Sequence, residues 1–290
     1  MSEAIVLHDQ TQAHLERFLL HPTHALLLSG VAGSGKTFTA QYFAAQLLGV
    51  ETKALANYPY FSLIAPVKNT ISIDAIRELQ RFTQLKTIGA QPIRRVAIIE
   101  YAHTMSTEAQ NALLKLLEEP PEDTVLILTV HNSRSLLATI RSRLQIITVL
   151  APEPTKLKTH FEAHAASPQA YAQTVFLSGG LPGLLHALLA NDAEHPLVAA
   201  IQQAKSLLQA DTFERLTQVD SLAKQKETAA AVADALTRIA QAGIDQAAIK
   251  NASKQIKQWH QILKAAHAAS LELQANVNTK LVLANLMLHM

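Results

Sequence analysis

The stretch GVAGSGKT, Gly30 to Thr37, has the spacing G-x-x-x-x-G-K-[ST], and that spacing has a chemical use. A polyphosphate needs many hydrogen-bond donors converging on it with no side chains in the way. Gly30, Gly33 and Gly35 allow a tight turn, with Ser34 inside it, so that successive backbone N–H groups point into one cradle. A helix starting at the loop turns its positive end toward the anion. Lys36 then supplies charge to the β- and γ-phosphates, and the Thr37 hydroxyl is placed to ligate Mg²⁺. ATP with Mg²⁺ is the expected ligand. Further on, VAIIE (Val96–Glu100) runs into a carboxylate. An α/β sheet holds its ligands at the carboxyl ends of its strands, so Glu100 is expected to reach Mg²⁺ directly or through water. Hydrolysis would need a group beside it to ready the attacking water, and the next residue is Tyr101. A phenol, with a pKa of about 10, is a poor proton acceptor at neutral pH. His103 is the nearest substitute base, although a polar turn residue there is ordinarily just solvated. The expectation is a kept pocket and a lost base.

These residues need alternating strands and helices to carry them. HALLLSG (His24–Gly30), YFSLIAP (Tyr60–Pro66), RRVAIIE (Arg94–Glu100), TVLILTV (Thr124–Val130) and QIITVL (Gln145–Leu150) read as short buried strands. Between them, KTFTAQYFAAQLLG (Lys36–Gly49) has helical spacing, with an apolar face expected through Phe38, Tyr42, Phe43, Leu47 and Leu48 and a stop at Gly49. SIDAIRELQRF (Ser72–Phe82) reads as a helix capped by Ser72 or Asp74, and STEAQNALLKLLEE (Ser106–Glu119) as one stopped by Pro120 and Pro121. SLLATIRSRL is read as helical. Short apolar strands alternating with helices predict a parallel sheet covered on both faces. After APEP (Ala151–Pro154) the strand signals nearly vanish. The layout predicted is an α/β nucleotide-binding domain over 1–150, a small helical domain over 151–192 and an all-helical domain over 193–290.

Composition sets bounds on function. At 290 residues, 49% hydrophobic and 17% charged, the chain has material for full cores. A net charge of +2 excludes a strongly basic whole-molecule nucleic-acid binder, so any DNA contact must come from a local patch or an assembly. The absence of Cys excludes disulfides and Cys-based zinc or redox sites. No apolar run reaches the length of a membrane span, and no leader is evident at the N-terminus. The expectation is a soluble, cytoplasmic protein with no membrane partner.

More specific stretches follow one another in order: HALLLSGVAGSGKT, ISIDAIRELQRFTQLKT, VAIIEYAHTMSTEAQNALLKLLEEPPEDTVLILTV and LLATIRSR. Together they resemble the clamp-loader branch of the AAA+ ATPases, most of all in NALLKLLEEPP (Asn111–Pro121). SRL (Ser142–Leu144) resembles that branch's Ser-Arg-Cys motif with Leu for Cys, SGGLPG (Ser178–Gly183) its lid motif, and NVNTKLVLANLML (Asn276–Leu288) the end of its collar. The resemblance implies an AAA+ domain over 1–150, a helical lid over 151–192 and a collar over 193–290. It also implies a place in a five-subunit assembly that loads a sliding clamp onto primed DNA, with gamma/tau-like and delta-like subunits as partners. By the motif match, Arg143 is an arginine finger offered to a neighbour's ATP, and a guanidinium delivered across an interface suits a transferring phosphoryl group.

Four departures from the branch's motor subunits stand out. Glu100-Tyr101 replaces the acidic pair, and Gly183 stands where those subunits carry a lid arginine. The polar position after TVLILTV falls at Val130 or His131. The four-Cys zinc module is missing, so no zinc is expected. The first three weaken hydrolysis, which favours a stationary subunit over an active gamma/tau-like motor. A small-molecule kinase is a more distant alternative, disfavoured because residues 155–192 hold no Arg. Arg77 and Arg81, with i, i+4 spacing and Lys86 beyond, are the candidate DNA-backbone contacts. KNASKQIKQWHQILK is read as one helix carrying Lys250, Lys254 and Lys257 on one side, with Trp259 near.

Overall fold

The computed structural model describes residues 5–290. The chain divides into two compact units, Met1–Lys156 and Leu157–Met290. The first is built on five parallel strands, β1 (Ala25–Ser29), β2 (Phe61–Ile64), β3 (Arg95–Ile99), β4 (Thr124–Val130) and β5 (Gln145–Thr148), in the order β2-β3-β4-β1-β5. Parallel strands need crossovers. These are supplied by α2 (Lys36–Leu48), α3 (Ile73–Gln84), α4 (Thr107–Glu118) and the four-residue α5 (Ala138–Arg141), with α1 (Asp9–Leu20) before them.

Side chains alternate across a strand, and here both faces are covered. Leu27, Ala97, Ile99, Leu126 and Leu128 meet Ile76 and Leu79 of α3 and Leu113 of α4. Leu26, Leu28, Val96, Ile98, Val125 and Ile127 meet Leu15 and Phe18 of α1 and Ala40, Phe43 and Leu48 of α2. Two buried faces explain why the central strands read as unbroken apolar runs. Ser72 and Ser106 cap α3 and α4, each side chain accepting from the backbone N–H three residues on.

Some local expectations change. The buried face of α2 runs through Thr39, Ala40, Phe43, Ala44, Ala45 and Leu48, while Phe38 is exposed and Tyr42 and Leu47 are half-buried. Alanines let this helix lie close to the strands. Within SLLATIRSRL only Ala138–Arg141, α5, is α-helical, and the first residue of the stretch, Ser135, ends a 3₁₀ turn that starts at Ser133. The helix α1 had no counterpart in the reading of the sequence. Its Thr11 hydroxyl donates to the Thr148 carbonyl (3.0 Å) and accepts from the Leu150 N–H (3.1 Å), satisfying backbone groups on the edge beside β5.

The second unit begins within α6 (Pro154–Phe161) and continues through α7 (Pro168–Ser178), α8 (Pro182–Leu189), α9 (Pro196–Gln209), α10 (Thr212–Leu222), α11 (Lys226–Ile249), α12 (Ser253–Gln274) and α13 (Thr279–His289). Pro opens several of these helices, where its missing N–H costs nothing. One core joins Leu184 and Ala187 of α8 to Ile201, Leu207, Val232, Leu236, Leu273 and Leu283 of the later helices. Lys250 does not share a helix with Lys254 and Lys257. The helix α11 ends at Ile249, the chain reverses through Asn251 at φ 52°, and α12 starts at Ser253.

Candidate nucleotide site and arginine presentation

The phosphate loop leaves the carboxyl end of β1, the centre-right strand of the sheet, and runs directly into α2. Gly33 and Gly35 sit at φ 86° and 83°, left-handed values that a side chain would strain. Gly30 passes under Val149, whose carbonyl oxygen would stand 2.7 Å from any Cβ. Ser34 is buried and Thr37 half-buried. Lys36 is 6% exposed, and its Nζ donates to the carbonyls of Gly30 (2.6 Å) and Val31 (2.8 Å) and contacts Ser34 Oγ at 3.3 Å. Burial pulls its pKa down to about 8. An ammonium folded onto its own loop with no carboxylate beside it is a cation ready for an anionic ligand.

Glu100 follows β3 and is 8% exposed. Burial pushes its pKa up, opposed by a hydrogen bond from Thr37. Its Oε1 is buried with no hydrogen-bond partner. An orphaned carboxylate oxygen beside a threonine hydroxyl is a pair of hard oxygen donors suited to Mg²⁺. The residues therefore fit the ion: Thr37 and Glu100 would be its protein ligands.

The position after Glu100 holds a tyrosine in an unusual conformation. Tyr101 is left-handed, at φ 50° and ψ 44°, which for such a residue costs about 1 kcal/mol or more. Its N–H donates to Thr129 Oγ1 (3.1 Å), while its carbonyl accepts from Thr104 N (2.8 Å) and Thr104 Oγ1 (2.9 Å). This backbone turns the phenol onto His131, with ring centroids 5.6 Å apart and planes nearly perpendicular. His131 in turn lies 4.6 Å from the ring of His103. Burial and then the charge of Glu100 raise the Tyr101 pKa, so the phenol stays protonated. Burial and then the charge of Lys36 lower that of His103. Burial, His103 and Lys36 lower that of His131, whose outer edge is open to water. Neither imidazole is a strong base. Of the two positions considered after TVLILTV, Val130 is buried as the last residue of β4, and His131 is the one turned toward this cluster. Gly183, in the first turn of α8, offers no side chain.

Arg143 lies between α5 and β5. Parallel pairing of β1 with β5, Leu26 opposite Gln145 and Ser29 opposite Thr148, puts Arg143 at the amino ends of the strands. The phosphate loop is at the carboxyl ends. At about 3.3 Å per residue, the paired segment alone separates the two by about 10 Å. Structure thus brings together Lys36, Thr37 and Glu100 and keeps Arg143 away from them. Its Nη2 pairs with Glu118 Oε1 at 2.8 Å and its Nη1 donates to the Thr139 carbonyl at 2.8 Å.

Arg77 and Arg81 are both exposed on α3, Arg77 in an ion pair with Asp74 at 3.3 Å. The far end of that helix is anchored by Arg95, 1% exposed, which donates to the carbonyls of Thr83 and Leu85 and lies 5.2 Å from the Phe82 ring. Glu118, Thr129 and Arg95 were not singled out from the sequence. Each matters through a partner distant in the chain, which no local spacing signals.

A parallel β2-β3-β4-β1-β5 sheet, a phosphate loop after β1, an acidic residue after β3 and a helical second unit define an AAA+ phosphate-loop protein. Residues 9–153 match the family described as DNA polymerase III, delta subunit, and the chain belongs to that family. It is similar to DNA polymerase III subunit delta' of Pseudomonas aeruginosa, with 33% identity over 204 residues covering 64% of this chain and 61% of the relative. The delta' subunit of Escherichia coli is 30% identical over 188 residues, 58% of this chain and 55% of that one. Subunit tau/gamma of Haemophilus influenzae is 31% identical over 150 residues, 47% of this chain and 22% of that protein. The chain thus spans a little over half the length of the delta' relatives it matches. A gamma subunit-related protein of Thermotoga maritima shares the fold, with a TM-score of 0.53 at 21% identity and coverage of 97% of this chain and 98% of that one. Among the described residues, no helix is long and apolar enough to cross a membrane.

Proposed function

We propose that this chain is a stationary subunit of a DNA polymerase III clamp loader. In this reading it holds ATP·Mg²⁺ without turning it over and lends Arg143 to a neighbour. The observation that carries the proposal is the pairing of an intact phosphate cradle with a left-handed, protonated Tyr101 where a catalytic carboxylate belongs. Lys36 and the loop N–H groups bind the phosphates, while Thr37 and Glu100 hold the ion. Tyr101 stays protonated, burial makes His103 and His131 weaker proton acceptors than free histidine, and no second carboxylate follows Glu100 to deprotonate water. Arg143, at the opposite ends of the strands, serves a phosphate outside this chain.

The assembly proposed contains gamma/tau-like and delta-like subunits, a sliding clamp and primed DNA. Residues 151–192 act as lid and 193–290 as collar. Arg77 and Arg81 contact the DNA backbone, an interaction that weakens with salt. The work is done in the cytoplasm.

The pure chain tests the reading. Calorimetry is expected to show ATP·Mg²⁺ binding that Lys36→Ala abolishes, with almost no phosphate release. Turnover of about 1 s⁻¹ or more, in the ordinary enzyme range, would make the chain a motor and overturn the proposal.

A further inference from the structure

We propose that Glu118 is the positioning residue of Arg143, holding its guanidinium in the pose from which it meets a neighbouring subunit's phosphates. The inference rests on the reading of Arg143 as an arginine donated in trans. Three observations carry it.

Both terminal nitrogens of Arg143 are engaged from different elements. Glu118 Oε1, at the end of α4, is 2.8 Å from Nη2, and the Thr139 carbonyl, in α5, is 2.8 Å from Nη1. A long side chain that would otherwise sample many rotamers is fixed from two directions. These contacts use two of the five N–H donors of a guanidinium. Three remain for a phosphate, and the side chain keeps 35% of its surface open.

Glu118 is also misplaced by the rules of its own helix. It is the last residue of α4, where the negative end of the helix disfavours a carboxylate and suits a cation such as Lys115. A local rule broken without local gain points to a role elsewhere. The partner that compensates is Arg143.

The same contact might be thought to withhold the arginine, but its strength decides against that. Glu118 is 52% exposed, and an exposed ion pair shifts an equilibrium by at most about fivefold. An arginine supplied in trans changes rate by about 10³–10⁵ at its site. So weak a pair cannot keep the guanidinium from a triphosphate. It is strong enough to narrow the poses the arginine samples, and misplacing a catalytic group costs rate.

The experiment uses the full chain reconstituted with its gamma/tau-like ATPase neighbours, clamp and primed DNA, with assembly checked by size. ATP turnover is compared for wild type, Glu118→Ala, Glu118→Gln, Arg143→Ala and the double Ala variant. Arg143→Ala removes the contribution of the facing site. Glu118→Ala is expected to lower that contribution about three- to fivefold in kcat with KM unchanged. Glu118→Gln, which keeps an acceptor for Nη2, recovers at least half of the loss. The double variant matches Arg143→Ala alone, because Glu118 acts only through the arginine. An unchanged or raised rate in Glu118→Ala overturns the inference while leaving the role of Arg143 standing. Further loss in the double variant, or failure to assemble, marks Glu118 as structural and also overturns it. A silent Arg143→Ala removes the trans-arginine reading itself.

Discussion

Raising the pH through about 8 should discharge Lys36 and weaken nucleotide binding. The ammonium is 6% exposed and has only loop acceptors for company, and burial brings its pKa from 10.5 to about 8. Between those two values the unfolded chain binds the proton more tightly than the folded one, so folded stability rises with pH across this window. Below about 8 the cost of burying the charge is present in full. At about 1.4 kcal/mol per pKa unit that cost is about 3 kcal/mol, and hydrogen bonds to two carbonyls return part of it. A bound triphosphate supplies the missing counter-charge and draws the pKa back up. Binding should then take up almost no proton at about pH 7 and about half a proton near pH 8. At higher pH the affinity should fall toward tenfold per unit. His103 and His131, already biased toward the neutral form, stay silent in this range. Calorimetric titrations with ATP·Mg²⁺ from about pH 7 to about pH 9.5, in two buffers of different ionisation enthalpy, read both the affinity and the proton. Lys36→Met provides the control, losing the nucleotide while gaining about 1–2 kcal/mol against urea near pH 7. A flat Kd with no buffer dependence would refute the argument, because the charge would then not be held at a cost.

Two further substitutions test how the scaffold is built. Arg95→Met should cost about 3–5 kcal/mol in urea unfolding, since it strips the carbonyls of Thr83 and Leu85 of their donor and takes from Asp123 one of its two arginines, leaving Arg94 and the hydroxyls of Thr87 and Thr124; stability within error of wild type would remove the anchoring role. Gly243→Ala should lower the melting temperature, because its Cβ would stand 2.4 Å from the Trp259 ring, an overpacking cost of about 1–3 kcal/mol. The chain's single Trp reports the displacement by fluorescence, and an unmoved spectrum with an unmoved Tm would contradict the packing.

How much of this was legible in the sequence depends on what kind of physics each feature obeys. The five strands and the phosphate loop were readable because their determinants are local. A fully buried parallel strand must be an apolar run, and a phosphate cradle must space its glycines, lysine and threonine in one fixed way. The helix α1 was missed although Leu15, Phe18 and Leu19 stand at helical spacing and the first two are buried in the core; what Thr11 does at the sheet edge had no local signal at all. The face of α2 was misread because large residues were counted as the buried ones, whereas close approach to the sheet favours Ala40, Ala44 and Ala45 and leaves Phe38 outside. The break after Lys250 had a signal, an Asn followed shortly by Ser, that helical spacing of the lysines outweighed. At the site, the expectation of a lost base rests on Tyr101 alone. What holds Tyr101 left-handed could not, because Thr129 reaches it only through the adjacency of β3 and β4. The same holds at the other ends of the strands. Arg143 is visible in a short motif, but its separation from the phosphate loop follows from the register of β5 on β1, and its hold by Glu118 from the folding of α4 against α5. The sequence therefore names the groups that do chemistry. The topology gathers Lys36, Thr37 and Glu100 at the carboxyl ends of the strands and holds Arg143 at the amino ends, and that separation is why a phosphate outside its own chain is the one proposed for Arg143.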